Sequence, residues 1–382
     1  MEPPEREYAF DTIAVHAGAE PDPLTGALAP PIYQTSTYAQ DGVGRPRDGY
    51  EYARAKNPTR ERLERAVAAL EGGRHGIAFA SGSAATAALA ELAGPGDEMI
   101  VGDDVYGGTY RYLERVHRPH GVGTRYVDLT SGPDELHEAL NERTRVVWFE
   151  TPTNPLLKVI DIAAVAGVVH DAFAGGGRPR IVVDNTFATP ALQRPLELGA
   201  DITFHSSTKY LAGHSDTLGG VVVTNDDAIA ERLRFLQNAM GGVPGPLDCF
   251  LALRGLRTLH LRMERHTANG GAVAAFLRAR DDLERVAYPG WGGMLSFVPL
   301  AGGRHGRDAR ERAVAICEGV QLFTLAESLG SVESLIEVPA VMTHASVAGT
   351  PLEVPEALVR LSVGIEAVDD LVADLQGAID AA

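Results

Sequence analysis

Short continuous apolar runs, separated by longer amphipathic segments, fill the middle of this 382-residue chain and leave few folds open to it. The runs are His75–Ala80, Glu98–Gly102, Arg145–Glu150, Arg180–Asn185, Asp201–His205 and Gly219–Thr224. Between them lie Ala84–Ala93, Asp134–Leu140, Ile162–Ala172 and Ala228–Met240, in which apolar residues recur at helical spacing. Strands buried on both faces read as unbroken apolar runs, and a helix between two of them makes a crossover connection. The pattern predicts a mainly parallel α/β sheet covered by helices.

The flanks read differently. Residues 1 to about 60 are rich in Pro and Gly, with breaks at Pro30-Pro31 and Arg45-Pro46, and are expected to form an extended arm. Thr59 is placed to cap a helix running through Leu63, Val67 and Leu70 until Gly72-Gly73 stops it. Beyond about residue 255 a long helical stretch, Leu256–Arg280, leads into a smaller unit. A chain of this length exceeds one ordinary core. The expected organisation is therefore an arm over 1–60, a large domain over 61–255 and a small domain over 256–382.

Composition excludes several function classes. A formal charge of −17 argues against nucleic acid and anionic membranes as partners, since both need a basic surface. No apolar run approaches the ~18 residues that span a bilayer, and the start has no signal-peptide pattern, so a cytoplasmic location is expected. The two cysteines, Cys249 and Cys317, build no disulfide framework and read as small buried hydrophobes. The basic residues are nearly all arginine. Lysine occurs only at Lys56, Lys158 and Lys209, so chemistry that needs a neutral amine has three candidates.

Ligands of open α/β sheets bind beyond the carboxyl ends of the strands. Phe79-Ala80 runs into Ser81-Gly82-Ser83, which opens a helix and could offer backbone N–H groups and two hydroxyls to an anion. A plain helix cap is the alternative, and neither GxGxxG nor GxxxxGK[ST] is present to mark a nucleotide. Ile181-Val182-Val183 ends in Asp184-Asn185, where an acid either caps the next helix or faces a protonated ring nitrogen. Ile202–His205 ends in Ser206-Ser207-Thr208-Lys209. A lysine in that dry position loses pKa and becomes able to form an imine and shuttle protons. Lys56 and Lys158 sit at turns, so Lys209 is the choice. An anion cradle, a ring-nitrogen acid and an imine lysine then follow one another at three strand ends.

The strings Tyr52-Ala-Arg54-Ala-Lys-Asn57-Pro-Thr59, Glu150-Thr-Pro-Thr-Asn154-Pro, Val183-Asp184-Asn185-Thr186, Ser206-Ser-Thr208-Lys209 and Leu325-Ala-Glu327-Ser328-Leu329-Gly330 resemble the Cys/Met-metabolism family of pyridoxal-phosphate enzymes, from about residue 10 to the end. The resemblance implies an aspartate-aminotransferase-like (fold type I) structure, a mainly parallel sheet with a smaller C-terminal α+β domain. It implies pyridoxal 5′-phosphate as cofactor, bound as a Schiff base on Lys209. Ser81, Gly82, Ser83, Ser206 and Thr208 would hold the phosphate, with Tyr52 and Arg54 reaching it from a neighbouring subunit of a homotetramer. Tyr106 would stack on the ring, with Asp184 on its nitrogen and Thr186 beside it. Arg360 would clamp the substrate α-carboxylate near Asn154 and Ser328, an internal ion pair being its other reading. Three departures stand out: Ser83 replaces a larger apolar residue, Lys56 replaces glycine, and a His- and Gln-bearing segment is missing between Gly290 and Trp291.

The chemistry implied is elimination or replacement at the γ-carbon of a sulfur amino acid or homoserine ester, of cystathionine γ-lyase or γ-synthase type. Lys209 would move the α-proton, and Tyr106 and Tyr52 would handle protons at the leaving group. Glu327 favours cystathionine as substrate, while Gly108 stands where methionine γ-lyases usually carry cysteine. Two other classes remain: a non-catalytic pyridoxal-phosphate-binding regulator, and a metal hydrolase, for which His117 and His120 offer a close pair without an HExxH pattern.

Overall fold

The computed structural model describes residues 8–382. Seven strands form the larger sheet: β1 (His75–Phe79), β2 (Glu98–Gly102), β3 (Gly123–Val127), β4 (Thr144–Glu150), β5 (Arg180–Asp184), β6 (Ile202–His205) and β7 (Gly220–Thr224). Their order is β1-β7-β6-β5-β4-β2-β3, with β7 alone antiparallel to its neighbours. The central strands are buried on both faces, as their unbroken apolar runs require. The edge strand β3 was not expected. Its Arg125 is exposed and Gly123, Thr124 and Tyr126 are only half-buried, and its sequence shows no apolar run.

A second, five-stranded sheet comprises β8 (Leu283–Ala287), β9 (Met294–Pro299), β10 (Thr324–Leu325), β11 (Leu335–Glu337) and β12 (Val359–Ser362). The expected helix Leu256–Arg280 is present as Leu259–Arg278, and a separate helix, Pro246–Leu256, precedes it across a break at Arg257-Thr258. The second helix enters both cores. Leu259 and Met263 pack with residues of the large sheet's flank, while Val273, Ala274 and Leu277 pack under the small sheet. Cys249 and Cys317 are buried, as expected. Among the described residues no helix is long and apolar enough to cross a membrane.

Two local readings need correction. The arm carries a helix, α1 (Phe10–His16), whose Phe10, Ile13 and Ala14 join the core beneath helix α2 (Pro58–Glu71). The cap of α2 is Asn57, not Thr59. Asn57 Oδ1 accepts the Thr59 and Arg60 N–H groups at 2.9 and 3.2 Å. Proline at the first helical position needs no acceptor, which moves the start two residues earlier. Thr59 ties the arm down: its Oγ1 accepts the Tyr33 N–H at 2.9 Å, while Asn57 Nδ2 donates to the Tyr33 carbonyl at 3.0 Å. Asn57→Ala removes a buried cap and an arm contact together, and should lower unfolding stability by about 1–2 kcal/mol in urea titration. Thr59→Ala, which removes one contact, should cost about half as much.

Candidate active site

The carboxyl ends of β1, β4, β5 and β6 open into one cavity of ≈ 270 Å³. Parallel pairing puts Glu150 opposite Asp184, and Asp184 opposite Phe204, so the turn Ser206–Lys209 leaves β6 beside both acids.

At one end lies the start of helix α3 (Gly82–Ala90). Ser81 caps it, its Oγ accepting the Ala84 N–H at 3.0 Å, so the capping role is real. That bond uses the hydroxyl as acceptor and leaves its proton to donate. The Gly82 and Ser83 N–H groups, first in the helix, have no intrahelical acceptor and favour an anion there. Glycine at 82 leaves room beside Ser206: a Cβ would sit 3.1 Å from both Cβ and Oγ of that serine, tighter than ordinary contact. Thr208 braces the opposite wall, its Oγ1 accepting the Gly219 N–H at 3.0 Å and donating to the Gly219 carbonyl at 3.3 Å. The Thr186 hydroxyl accepts the Ser206 N–H at 2.8 Å.

Asp184 closes the floor. Its Oδ1 accepts the Thr186 N–H at 2.9 Å. Burial pushes its carboxyl up, and the hydrogen bonds from Thr186 and the nearby His205 pull it back toward the charged form. One residue further along each strand, side chains point to the other face of the sheet. There Asn185 and His205 converge on Glu71, whose Oε1 accepts from Asn185 Nδ2 at 3.0 Å and lies 2.5 Å from His205 Nε2. All three residues are fully buried and hold the two strand ends together.

Lys209 faces these groups. Burial, and then the Arg360 guanidinium, lower its amine to about 8, so roughly a tenth of it is neutral at pH 7, far more than for an exposed lysine. Its Nζ lies 2.7 Å from Ser328 Oγ. Ser328 holds a φ of 99°, a strained conformation for a residue other than glycine. Its carbonyl accepts from Arg360 Nη2 at 2.9 Å, so Ser328 is pinned between the two cations. The other lysines have ordinary employment: Lys158 is ion-paired with Asp103 and Asp128, and Lys56 donates to the Asp48 carbonyl.

Arg360 is buried on β12. Nη1 donates to Asn154 Oδ1 at 2.8 Å, and Nη2 lies 3.0 Å from Glu337 Oε1. The internal ion pair therefore exists, and the guanidinium still borders the cavity.

Ser81, Gly82, Ser83, Tyr106, Asn154, Asp184, Thr186, Ser206, Thr208, Lys209, Glu327, Ser328 and Arg360 line this one cavity. Tyr52 and Arg54 do not. They stand on the arm, Tyr52 half exposed with Arg54 over its ring. Glu150, Thr343 and Phe187 also line the wall and were not anticipated as site residues, and neither was the Glu337 beside Arg360. Glu150 alone had a local signal, since it ends an apolar run. The donor set fits pyridoxal phosphate: N–H groups and hydroxyls for the phosphate, an acid for the pyridine nitrogen, and an amine of lowered pKa for the aldehyde.

The profile of the family described as Cys/Met metabolism PLP-dependent enzyme matches residues 11–380. The chain is 50% identical to cystathionine gamma-synthase of Mycobacterium tuberculosis, with 96% of each chain covered. It is 48% identical to cystathionine beta-lyase of Coxiella burnetii over 97% of each. The solved structure of cystathionine gamma-lyase from Lactobacillus plantarum complexed with L-serine superposes with a TM-score of 0.91 at 40% identity, covering 98% of this chain and 99% of that one.

The lowered amine gives a pH prediction. In cofactor-free protein, the rate at which a small acylating reagent labels Lys209 should rise through a midpoint near 8, well below that of an exposed lysine. Arg360→Met removes a cation that disfavours the ammonium form, so the midpoint should move upward. Peptide mapping across a pH series reads both.

Proposed function

We propose that this chain, which belongs to the Cys/Met-metabolism family of pyridoxal-phosphate-dependent enzymes, works at the γ-carbon of cystathionine and of the homoserine ester from which cystathionine is made. The observation that carries the reading is the facing pair of Lys209 and Arg360, with Glu327 at the rim of the same cavity. Arg360 and Asn154 then hold the α-carboxylate of an amino acid, and the γ-substituent projects toward Glu327. The arm over 1–60, the cofactor domain over 61–255 and the small domain over 256–382 belong to the same proposal, as does a cytoplasmic location.

Pyridoxal phosphate supplies, when bound, an electron sink for negative charge developing at the substrate Cα. Ser81, Gly82, Ser83, Ser206 and Thr208 hold its phosphate, Tyr106 packs on its ring face, and Asp184 keeps a proton on its ring nitrogen. Lys209 is the residue to which it attaches. Lys209 would take the α-proton of the substrate, its lowered pKa favouring the neutral form that acts as a base. Loss of a β-proton lets the γ-substituent depart, and Tyr106 handles the proton that the leaving group needs. Addition of cysteine sulfur gives cystathionine; without that addition, hydrolysis by one water gives 2-oxobutyrate and ammonia.

The exposed Tyr52 and Arg54 complete the phosphate site of a neighbouring subunit in a homotetramer built from dimers that share sites. Two inactive variants, Arg54→Ala and Lys209→Ala, should therefore recover part of the wild-type rate when mixed, through hybrid sites. A fully active monomer at high dilution would rule this assembly out.

Substrate choice rests on Glu327. Cystathionine carries a second amino group beyond its sulfur, where methionine has a methyl. A charge-assisted hydrogen bond from that amine contributes about 1.5–3 kcal/mol, so Glu327→Ala should lower kcat/KM for cystathionine by about 10- to 100-fold. Elimination from methionine should change far less. The assay supplies cystathionine, methionine, or an O-acylated homoserine with cysteine, and follows cystathionine, 2-oxobutyrate and pyruvate separately. Pyruvate as the main product from cystathionine would move the assignment to β-cleavage. Equal losses on both substrates, or a wild-type preference for methionine, would move it to methionine γ-lyase.

A further inference from the structure

Asn154 has a role in carboxylate binding, whereas Glu150, at the other end of the same motif, has none so far. Glu150 ends β4, is only 5% exposed and lines the cavity. Its Oε1 accepts the Tyr106 N–H at 2.7 Å. Tyr106 stands at the start of helix α4 (Gly107–Tyr112) with its side chain partly exposed in the cavity. Two other features set the angle of its ring. Gly108 lies directly against the ring, where a Cβ would overlap it. The imidazole of His344 meets the ring edge-on, 6.2 Å between centroids at 84°. Both are apolar or edge contacts, so the Glu150 bond is the directional one.

The second observation is charge. Glu150 pairs with Asp184 across neighbouring parallel strands, whose axes run about 4.8 Å apart. The charged groups that face Glu150 are Asp184 and Asp104, both acids. Two carboxylates side by side in a dry wall do not both ionise. Asp184 has the better claim to the charge, since the Thr186 hydrogen bonds and His205 favour its anion. Glu150 has only the Tyr106 amide in its favour. Burial and the neighbouring Asp184 accordingly push Glu150 well above the usual carboxylate range.

We propose that Glu150 is a positioning residue, an uncharged carboxyl that seats Tyr106 against the cofactor ring and leaves Asp184 as the anion of the two acids that line this end of the cavity. The proposal rests on the reading of the pocket given above. A neutral carboxyl has a neutral isostere, so glutamine should replace it and alanine should not.

The test uses cofactor-loaded wild type, Glu150→Gln, Glu150→Ala, Tyr106→Leu and the Glu150→Ala/Tyr106→Leu double variant. It measures the dissociation constant for pyridoxal phosphate and the visible circular dichroism that the bound ring acquires. Glu150→Gln should stay within about 3-fold of wild type in affinity with an unchanged dichroism band. Glu150→Ala should weaken binding by about 10-fold or more and reduce the band, the size expected for one lost buried hydrogen bond. Because Glu150 acts through Tyr106, the double variant should bind about as the Tyr106→Leu single variant does. Losses that add, or a Glu150→Gln variant as impaired as alanine, would overturn the proposal. Should the alanine variants fail to fold, Glu150→Gln decides alone: a wild-type band supports the neutral carboxyl, and a lost band overturns it. Wild-type protein that takes no pyridoxal phosphate onto Lys209, judged by borohydride trapping, would overturn the underlying reading and this one with it.

Discussion

The parallel register of β4, β5 and β6 sets Glu150, Asp184 and the Ser206–Lys209 turn in one row, and everything chemical in the molecule follows from that row. Parallel strands end together at one edge, and their backbone bonds fix where each side chain emerges. The row does not hold itself. Asp184 and Ser206 each precede or follow a residue turned to the opposite face, and there Glu71 ties Asn185 and His205 together in full burial. A shift of one residue in β5 would send Asp184 to that rear face and bring Asn185 into the cavity.

The cavity is polarised along its length. Two acids occupy one side, with a single charge between them, and two cations occupy the other. Lys209 and Arg360 repel each other, and that repulsion, added to burial, is what lowers the lysine amine. Arg360 keeps its own charge because Glu337 is beside it, in a position too buried for water to screen. Glu337 itself pulls the lysine amine partly back up, yet it allows a cation to persist where that cation disfavours a second one. An arginine without that partner would be a costly buried charge.

How much of this was legible in the sequence depended on how local each signal was. Lys209, Asp184 and Ser81–Ser83 could be found because each ends an apolar run, and a strand end is a defined place in an α/β sheet. The ion pair of Arg360 with Glu337 gave no such sign, since its partners come from separate strands of the small sheet. Glu71 and His205, 134 positions apart, meet only through the sheet between them. Strand β3 escaped because an edge strand with one solvated face carries polar residues. The cap of α2 was misplaced by two residues because Asn57 and Thr59 are both good capping types, and only the proline between them settles which acts.

Tyr210 is one of the residues through which the two sheets meet at the site. It follows Lys209, is fully buried and packs edge-on against His266 of the helix shared by both cores. The segment carrying Ser328 meets it at Gly330, which has a φ of 78° and stands where a Cβ would lie 2.7 Å from the Tyr210 backbone nitrogen. Gly330 is itself tethered to β12, its N–H donating to Ser362 Oγ at 2.8 Å, two residues beyond Arg360. The contact therefore brings Ser328 and Arg360 to the lysine in one movement. Any side chain at 330 would have to displace the backbone next to Lys209 or adopt a strained conformation. The large sheet alone can present an amine and an anion cradle, but the guanidinium that lowers the amine comes from the small sheet, and the close packing of Gly330 on Tyr210 is one of the contacts that hold it there.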